Sequence, residues 1–333
     1  MDKLNQDSPA VLQLLAYLKS SLELRLRFTP VVDSIIPRRD SVAILFSGGL
    51  DCTLLARMAH DILPLFQDID LINVAFENPR IVQAASKKIL VGTISPSAYE
   101  SCPDRMTGRA SHAELVRLCP GRLWRFISID ISFNELAMHK PDIVILLQPH
   151  NTEMDFSIGC ALYFAARGHG TVQLANYTTE ECYTTPAKVL LSGLGADELF
   201  GGYARHAMAF KRRGHAGLVV ELELDFQRIA ERNLGRDDRI ISHWSKEARY
   251  PFLDEDLVSW ALRIPVHQKC GFGQAVEKDS VPDPCKRLLR LAAWKLGLRQ
   301  AANQKKRAIQ FGARTAKMEV GRTRGTQELS MTT

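Results

Sequence analysis

The chain has 333 residues, 46% hydrophobic and 24% charged, the balance of a globular protein long enough for one large core or two smaller ones. Its net charge of +6 is mild and partly gathered after Asn303, so no nucleic-acid partner is expected: a polyphosphate ligand asks for the same cations. No run approaches the roughly 18 apolar residues of a membrane span, MDKLNQDSPAV lacks a signal-peptide core, and the seven cysteines form no CxxC pair, so the expectation is a cytoplasmic protein with reduced thiols and neither a disulfide framework nor a zinc site.

Residues 10–28 read as an amphipathic helix, its apolar run broken by Lys19, Glu23, Arg25 and Arg27 and ended by Thr29-Pro30. SVAILF at 41–46 is a short buried strand; Ser47-Gly48-Gly49 turns the chain, and 51–63 is helical. IDLINVAF at 69–76 is a second strand. An irregular stretch follows from Glu77 to Thr107, then a helix at 110–118, and LWRFISIDI at 123–131 is a third strand. DIVILLQ at 142–148 fits strand or helix equally, 154–167 is a helix ending near Gly168, and 188–191 is a fourth strand. From Gly195 the pattern is helical, over 196–213, 217–232, 254–263 and 284–296, and 321–333 reads as a disordered tail. Strands alternating with helices predict an α/β protein with a parallel, doubly wound sheet and a mainly helical C-terminal part. Ligands on such sheets bind beyond the carboxyl ends of the strands.

Both glycine turns lie at such ends. Ser47-Gly48-Gly49-Leu50-Asp51 joins a strand to a helix. Glycine lets the backbone approach a ligand, and a helix start offers unpaired N–H groups and a positive dipole end, together a cradle for anionic oxygens. GxxxxGK[ST] and GxGxxG are both absent, and SGGxD is the shorter pattern of enzymes that bind pyrophosphate and adenylate a substrate. A tight turn with no ligand is the plain alternative. In the second constellation, LLSGLGADELFGGY at 190–203, a strand again runs into glycines and an acid pair opens a helix. Asp197 there and Asp51 in the first turn would together suit Mg²⁺, which is held by one or two carboxylates plus phosphates. Taken alone, Asp197-Glu198 is only the negative charge that a helix dipole favours.

SGGLDC, then SGLGADELFGGYARH, then ARYPFLDEDLVSWALRIP resemble the synthetase domain of the class B asparagine synthetases, and more nearly its divergent domain-containing relatives. PDRMTGRA at 103–110, DFSIGCALYFAARG at 155–168, NLGRDDR at 233–239 and KRAIQFGARTAKME at 306–319 extend the resemblance over roughly 10–320. The resemblance implies a fold of the adenine nucleotide alpha hydrolase (PP-loop) type. It also implies ATP and Mg²⁺ as cofactors, and an amidoligase that adenylates a carboxylate, aspartate in the family, and passes ammonia to it with loss of AMP. It divides the chain into a lead-in at 1–40, an ATP-binding domain at 41–320 and the tail. It assigns Ser47, Gly48, Gly49 and Asp51 to pyrophosphate and its metal, and Asp197 to the same metal. Leu45, Phe46, Ala75 and Phe76 would flank adenine, with Ser192 and Gly193 against adenosine. Lys306, six residues before Gly312, would stabilise charge on the α-phosphate and the departing pyrophosphate.

YPFLD at 250–254 reads as a turn with Asp254 capping the next helix, and Asp237-Asp238-Arg239 as a surface salt-bridge cluster. The sequence departs from the family at four points. Asp2 stands where the full synthetases open a glutaminase domain with cysteine, which leaves open a truncated chain, an isolated domain, free ammonia as donor, or a separate amidotransferase subunit. Leu194 replaces the glutamate of SGEG and can accept no proton. Ser157 stands where the synthetases carry an arginine, the natural clamp for a carboxylate substrate. Cys52 replaces a common serine. Nucleotide chemistry is retained while the acceptor side has changed, which leaves a ligase and a catalytically degenerate nucleotide-binding scaffold or assembly partner as the two readings. Oligomerisation is compatible with both. RNA-base modification, the chemistry of other SGGxD enzymes, lacks its usual appended domain or cysteine pair here.

Overall fold

The computed structural model of the chain describes residues 4–27, 42–77, 98–173, 180–274, 283–315 and 326–329. Helix α1 (Pro9–Arg27) buries Val11, Leu14, Leu18, Leu22 and Leu26, one stripe at helical spacing. Strand β1 (Val42–Leu45) leads through the first glycine turn into α2 (Leu50–Ile62), then β2 (Ile69–Phe76), α3 (Pro103–Leu118) and β3 (Trp124–Ile131). Next come α4 (Phe133–Leu147), α5 (Glu153–Arg167), β4 (His169–Gln173), β5 (Glu180–Thr184) and β6 (Val189–Leu191). The second glycine turn opens α6 (Ala196–Phe200), followed by α7 (Ala204–Gln227), a π-helical turn at Ala230–Leu234, α8 (Gly235–Ser242) and β7 (Glu247–Arg249). A 3-10 turn at Pro251–Leu253 and helices α9 (Glu255–Arg263), α10 (Val266–Lys269), α11 (Arg287–Lys295), α12 (Arg299–Asn303) and α13 (Ile309–Gly312) complete the described elements.

The sheet runs β5-β4-β3-β2-β1-β6-β7. Pairs β3–β2, β2–β1, β1–β6 and β6–β7 are parallel, whereas β4 and β5 pair antiparallel, so the sheet is mixed and dominated by its parallel part. The chain leaves β1 for β2 on one side and returns as β6 on the other. That reversal puts both glycine turns side by side at the strands' carboxyl ends, with Ile44 in register with Leu191.

Helices cover both faces. Val42, Ile44 and Phe46 point into one apolar cluster with α1, α2, α9, α11 and α12, while Ala43 and Leu45 point into a second with α4, α5 and α8. The period-two alternation of a doubly covered strand explains why β1 is apolar throughout.

Several expected elements need correcting. The helix expected from 110 begins at Pro103, a residue suited to the first helical position because its missing N–H would be unpaired there anyway. Residues 142–147 end helix α4, which contains Pro141. The single helix expected over 196–213 breaks at Gly201-Gly202, Gly201 having φ +73°. The break expected after 213 is present as a kink at Arg213–Gly214 inside α7. Strands β4, β5 and β7 were not expected. Of the tail, residues 326–329 are described: Gln327 O accepts from Glu153 N at 3.0 Å, and Leu329 N donates to Asn151 O at 2.7 Å. Most of the irregular stretch between Glu77 and Thr107 and of the lead-in to β1 lies outside the described residues.

Asp254 caps α9 as expected, accepting from Asp256 N and Leu257 N. Of Asp237-Asp238-Arg239 only Asp238 is exposed, so the cluster is a surface one in part. Asp237 is buried against Arg236, whose Nη1 also reaches Asp155 Oδ1 at 2.9 Å, and Arg239 donates to the carbonyls of Leu146 and Leu147. No described helix is long and apolar enough to cross a membrane, and no disulfide is found among the described residues.

Candidate active site

The first glycine turn is held from outside by α3. Thr107 Oγ1 donates to Ser47 O at 2.9 Å and Ser111 Oγ to Gly48 O at 2.7 Å. Gly48 has φ +77°, and a Cβ there would lie 2.4 Å from Gly108 N, so only glycine lets turn and helix touch. Behind them Asn73 Nδ2 donates to Phe46 O at 2.8 Å and to Asp104 O at 3.0 Å, and the fully buried Arg105 donates to Asn73 Oδ1 at 2.7 Å while pairing with Asp130 and Glu100. The PDRMTGRA segment is therefore the turn's buttress. Helix α2 is capped by Gly49 without a side-chain hydrogen bond, which leaves first-turn N–H groups without an intrahelical or side-chain cap partner. Cys52 is buried, its thiol donating to Gly49 O at 3.3 Å.

Asp51 is the second residue of α2 and Asp197 the second of α6. The second turn packs directly on the first: a Cβ on Gly193 would lie 3.1 Å from the Asp51 Cβ, and one on Gly202 would lie 1.7 Å from Asp197 Oδ1. The two carboxylates converge on one ammonium. Lys286 Nζ lies 2.8 Å from both oxygens of Asp51 and 2.9 Å from Asp197 Oδ1. Its backbone has φ +52°, an unusual conformation for a lysine that places this side chain inward ahead of α11. Lys306 Nζ pairs with the other Asp197 oxygen, Oδ2, and lies 5.6 Å from the centre of the Tyr203 ring. Burial alone would raise the Asp197 carboxyl, but Lys286 and Lys306 pull it well below the usual carboxylate range. Burial likewise opposes the charge on Lys286, and Asp197 and Asp51 overcome it, holding the ammonium above the usual lysine range.

Two carboxylates that both reach one ammonium also suit a Mg²⁺ ion whose remaining ligands come from phosphate. Asp51 and Asp197 are thus brought together, and the place between them is taken by the Lys286 ammonium. A shallow cleft opens beside this cluster, lined by Ser47, Gly49, Asp51 and Lys306 among the expected residues. Lys286, Arg290, Lys305 and Arg307 add four further cations, against Asp51 and Asp104. Such a surplus attracts a polyphosphate.

The residues expected to flank adenine do not line this cleft. Phe46 is buried with its ring edge-on to Phe126 at 6.3 Å, Phe76 packs likewise on Phe164 at 5.9 Å, Ala75 is fully buried, and Leu45 is half-buried against the second core. A sheet covered on both faces takes these side chains into its cores, leaving backbone at the strand tips. Ser192 N donates to Arg249 O at 2.9 Å, and Leu194 N to Ser192 Oγ at 3.3 Å, so the second turn is braced from β7. Ser157 is buried on α5; Arg236, one helix away, is already committed to Asp155 and Asp237.

The asparagine synthase family model matches residues 171–220 and 211–324. The chain is 39% identical to asparagine synthetase domain-containing protein 1 of Bos taurus, over 93% of this chain and 52% of that protein. It is 41% identical to the Homo sapiens protein of that name over 85% of this chain and 46% of the relative. The chain belongs to the asparagine synthase family. A more distant family member, a putative glutamine-hydrolysing asparagine synthetase of Methanocaldococcus jannaschii, is 29% identical over 69% of this chain and 34% of its own length. The asparagine synthase-type chain described here spans about half the length of the curated relatives it matches.

Two cleft residues of this asparagine synthase-type domain escaped the sequence reading. Lys286 opens a helix expected from 284 and looks like any lysine of an amphipathic segment, its partners lying 235 residues away in the case of Asp51. Asp104 follows Pro103 in a motif quoted for its resemblance, where an acid in a helix's first turn has a sufficient local reason.

Proposed function

We propose that the chain is an ATP-dependent ligase of the asparagine synthase type. It adenylates a small-molecule carboxylate with release of pyrophosphate and transfers ammonia to form an amide. The observation that carries this reading is the meeting of Asp51, Asp197, Lys286 and Lys306 at the mouth of the Ser47-Gly48-Gly49 turn. The turn's backbone and the start of α2 would hold pyrophosphate oxygens. Asp51 and Asp197 would hold Mg²⁺, which supplies charge neutralisation for the triphosphate when bound. Lys306 is placed to stabilise negative charge as pyrophosphate departs. Leu45, Phe46, Ala75 and Phe76 would meet adenine through backbone rather than rings, with Ser192 and Gly193 on the adenosine side. With Ser157 in place of an arginine and Arg236 committed to Asp155 and Asp237, the acceptor carboxylate needs another partner, and the free cations of the cleft are the candidates. ATP–pyrophosphate exchange by the purified chain across a panel of carboxylic acids tests the reading. Exchange stimulated by at least one acid is expected; ATP binding without exchange for any acid contradicts it.

A nucleotide-binding scaffold is a second reading, favoured by the apolar Leu194 in the second turn and by the ammonium lodged between Asp51 and Asp197. Cellular function that survives the double substitution Asp51→Ala, Asp197→Ala would favour it over the ligase.

A further inference from the structure

Amide formation needs a proton acceptor, because ammonium has no lone pair until it loses a proton. The position that carries a carboxylate in similar synthetases is here Leu194, and a hydrocarbon side chain cannot serve. Asp197 is committed to Lys286 and Lys306, Asp51 to Lys286, and Glu198 accepts from Tyr203 Oη at 2.5 Å.

Asp104 is different. It stands in the first turn of α3, is 6% exposed, and lines the same cleft as Asp51, Lys286 and Lys306. No hydrogen bond or ion pair to its carboxylate is found among the described residues, whereas its backbone carbonyl accepts from Asn73 Nδ2. The wall behind it is built for close contact: a Cβ on Gly312 would fall 2.0 Å from Asp104 Oδ1, so only glycine at 312 leaves this carboxylate its place. Lys306 and Arg307 face it from the segment before α13, Asp51 lies across the cleft, and Cys102, bonded to Gly312 O at 2.9 Å, lies behind with Arg314 beyond. Burial pushes the Asp104 carboxyl up to about 7, against the opposing pull of Arg307 and Lys306. A group half-ionised near neutral pH is both available as a base and strong enough to act as one.

We infer that Asp104 receives the ammonium ion in the cleft and takes its proton as the nitrogen attacks the acyl-adenylate. This rests on the ligase reading above. One N–H bond of ammonium breaks and its proton passes to the Asp104 carboxylate. The freed lone pair forms the C–N bond, the C–O bond to AMP breaks with its electrons leaving on the phosphate, and the nitrogen's surplus proton goes to that phosphate.

The test compares two nitrogen nucleophiles at neutral pH with whichever acid supports exchange: ammonium, which must be deprotonated, and hydroxylamine, which is already neutral. In Asp104→Asn the ratio of amide to hydroxamate formation is expected to fall about 100-fold, with partial recovery in Asp104→Glu. In the unsubstituted protein the amide rate should rise with pH and level off above about 7 while the hydroxamate rate stays flat, a measurement that stands even if the asparagine variant fails to fold; an amide rate that keeps climbing above about 7, as ammonium loses its proton in solution, contradicts the assignment. Equal losses with both nucleophiles, no loss with ammonium, or parallel pH profiles would overturn the assignment while leaving the ligase intact. An unsubstituted protein with no exchange activity overturns both.

Discussion

Lys286 and Asp51 are 235 residues apart in sequence and meet with the lysine nitrogen 2.8 Å from each carboxylate oxygen. The same nitrogen holds Asp197, so two strand-to-helix turns and the start of α11 are tied by one buried charge. Such a charge is sustained only by its partners, and removing one leaves the others unpaired out of water. Lys286→Met is therefore expected to cost about 3–5 kcal/mol of unfolding free energy, read by denaturant titration. Because the vacated place lies between two carboxylates, millimolar Mg²⁺ should restore part of the loss in the variant and change the parent far less. A loss that Mg²⁺ leaves untouched would show that the pair does not suit the metal.

The turn at Gly48 makes a second, local test. Alanine there meets both a positive φ and the backbone of Gly108 at 2.4 Å. Gly48→Ala should cost about 1–3 kcal/mol and displace the loop from α3. Nucleotide affinity should fall with it, whereas alanine at the exposed-side Gly121, whose Cβ meets nothing within 4 Å, should cost only its backbone strain.

Behind that turn, Arg105 donates to Asn73 Oδ1 and pairs with Asp130 and Glu100 from a fully buried position. Arg105→Met keeps much of the volume and removes the donors. The expected cost is about 3 kcal/mol, because the Asn73 oxygen and both acids lose their common partner. Thermal unfolding of the single variant measures it.

The acids of the cleft differ in the sign of their contribution to stability. Asp197 has its carboxyl lowered on folding, so its ion pairs stabilise the protein above the unfolded value of about 4, and that contribution is lost as pH falls below it. Asp104 has its carboxyl raised to about 7, so the folded state holds a proton that the unfolded state has released, and stability falls as pH rises from about 4 to about 7. Asp104→Asn should remove that decline, leaving the variant more stable than the parent at pH 8 by on the order of 2–4 kcal/mol and by less at pH 5. An advantage that does not grow with pH would place the ionisation elsewhere.

The sequence showed most of what local chemistry dictates. Strands β1, β2, β3 and β6 are apolar runs because both of their faces are covered, and Ser47-Gly48-Gly49 and Ser192-Gly193 announce turns because glycine has no other use at such places. Strands β4 and β5 were not visible: HGTVQ and EECYT are mostly exposed polar residues at a sheet edge, held by pairing rather than by burial. The break at Gly201-Gly202 was missed although its glycine pair is a local signal; what is tertiary there is the Cys270 thiol packed against Gly201. The same holds for the site. Asp51, Asp197 and Lys306 stand in motifs, while Lys286 and Asp104 take their character from residues far along the chain. Of the residues expected to flank adenine, Phe46 and Phe76 turn their rings into the cores, since a strand-end ring is as useful to a core as to a ligand.

The proposed triphosphate site joins Asp51, Asp197 and Lys306 around Mg²⁺. Calorimetric titration of ATP into the purified chain, with and without Mg²⁺, puts that site to the test. Binding that strengthens with Mg²⁺ in the parent protein and weakens by about 30-fold or more in Asp51→Asn and in Lys306→Ala is the expected result. Affinity indifferent to Mg²⁺ and unchanged in both variants would contradict the claim.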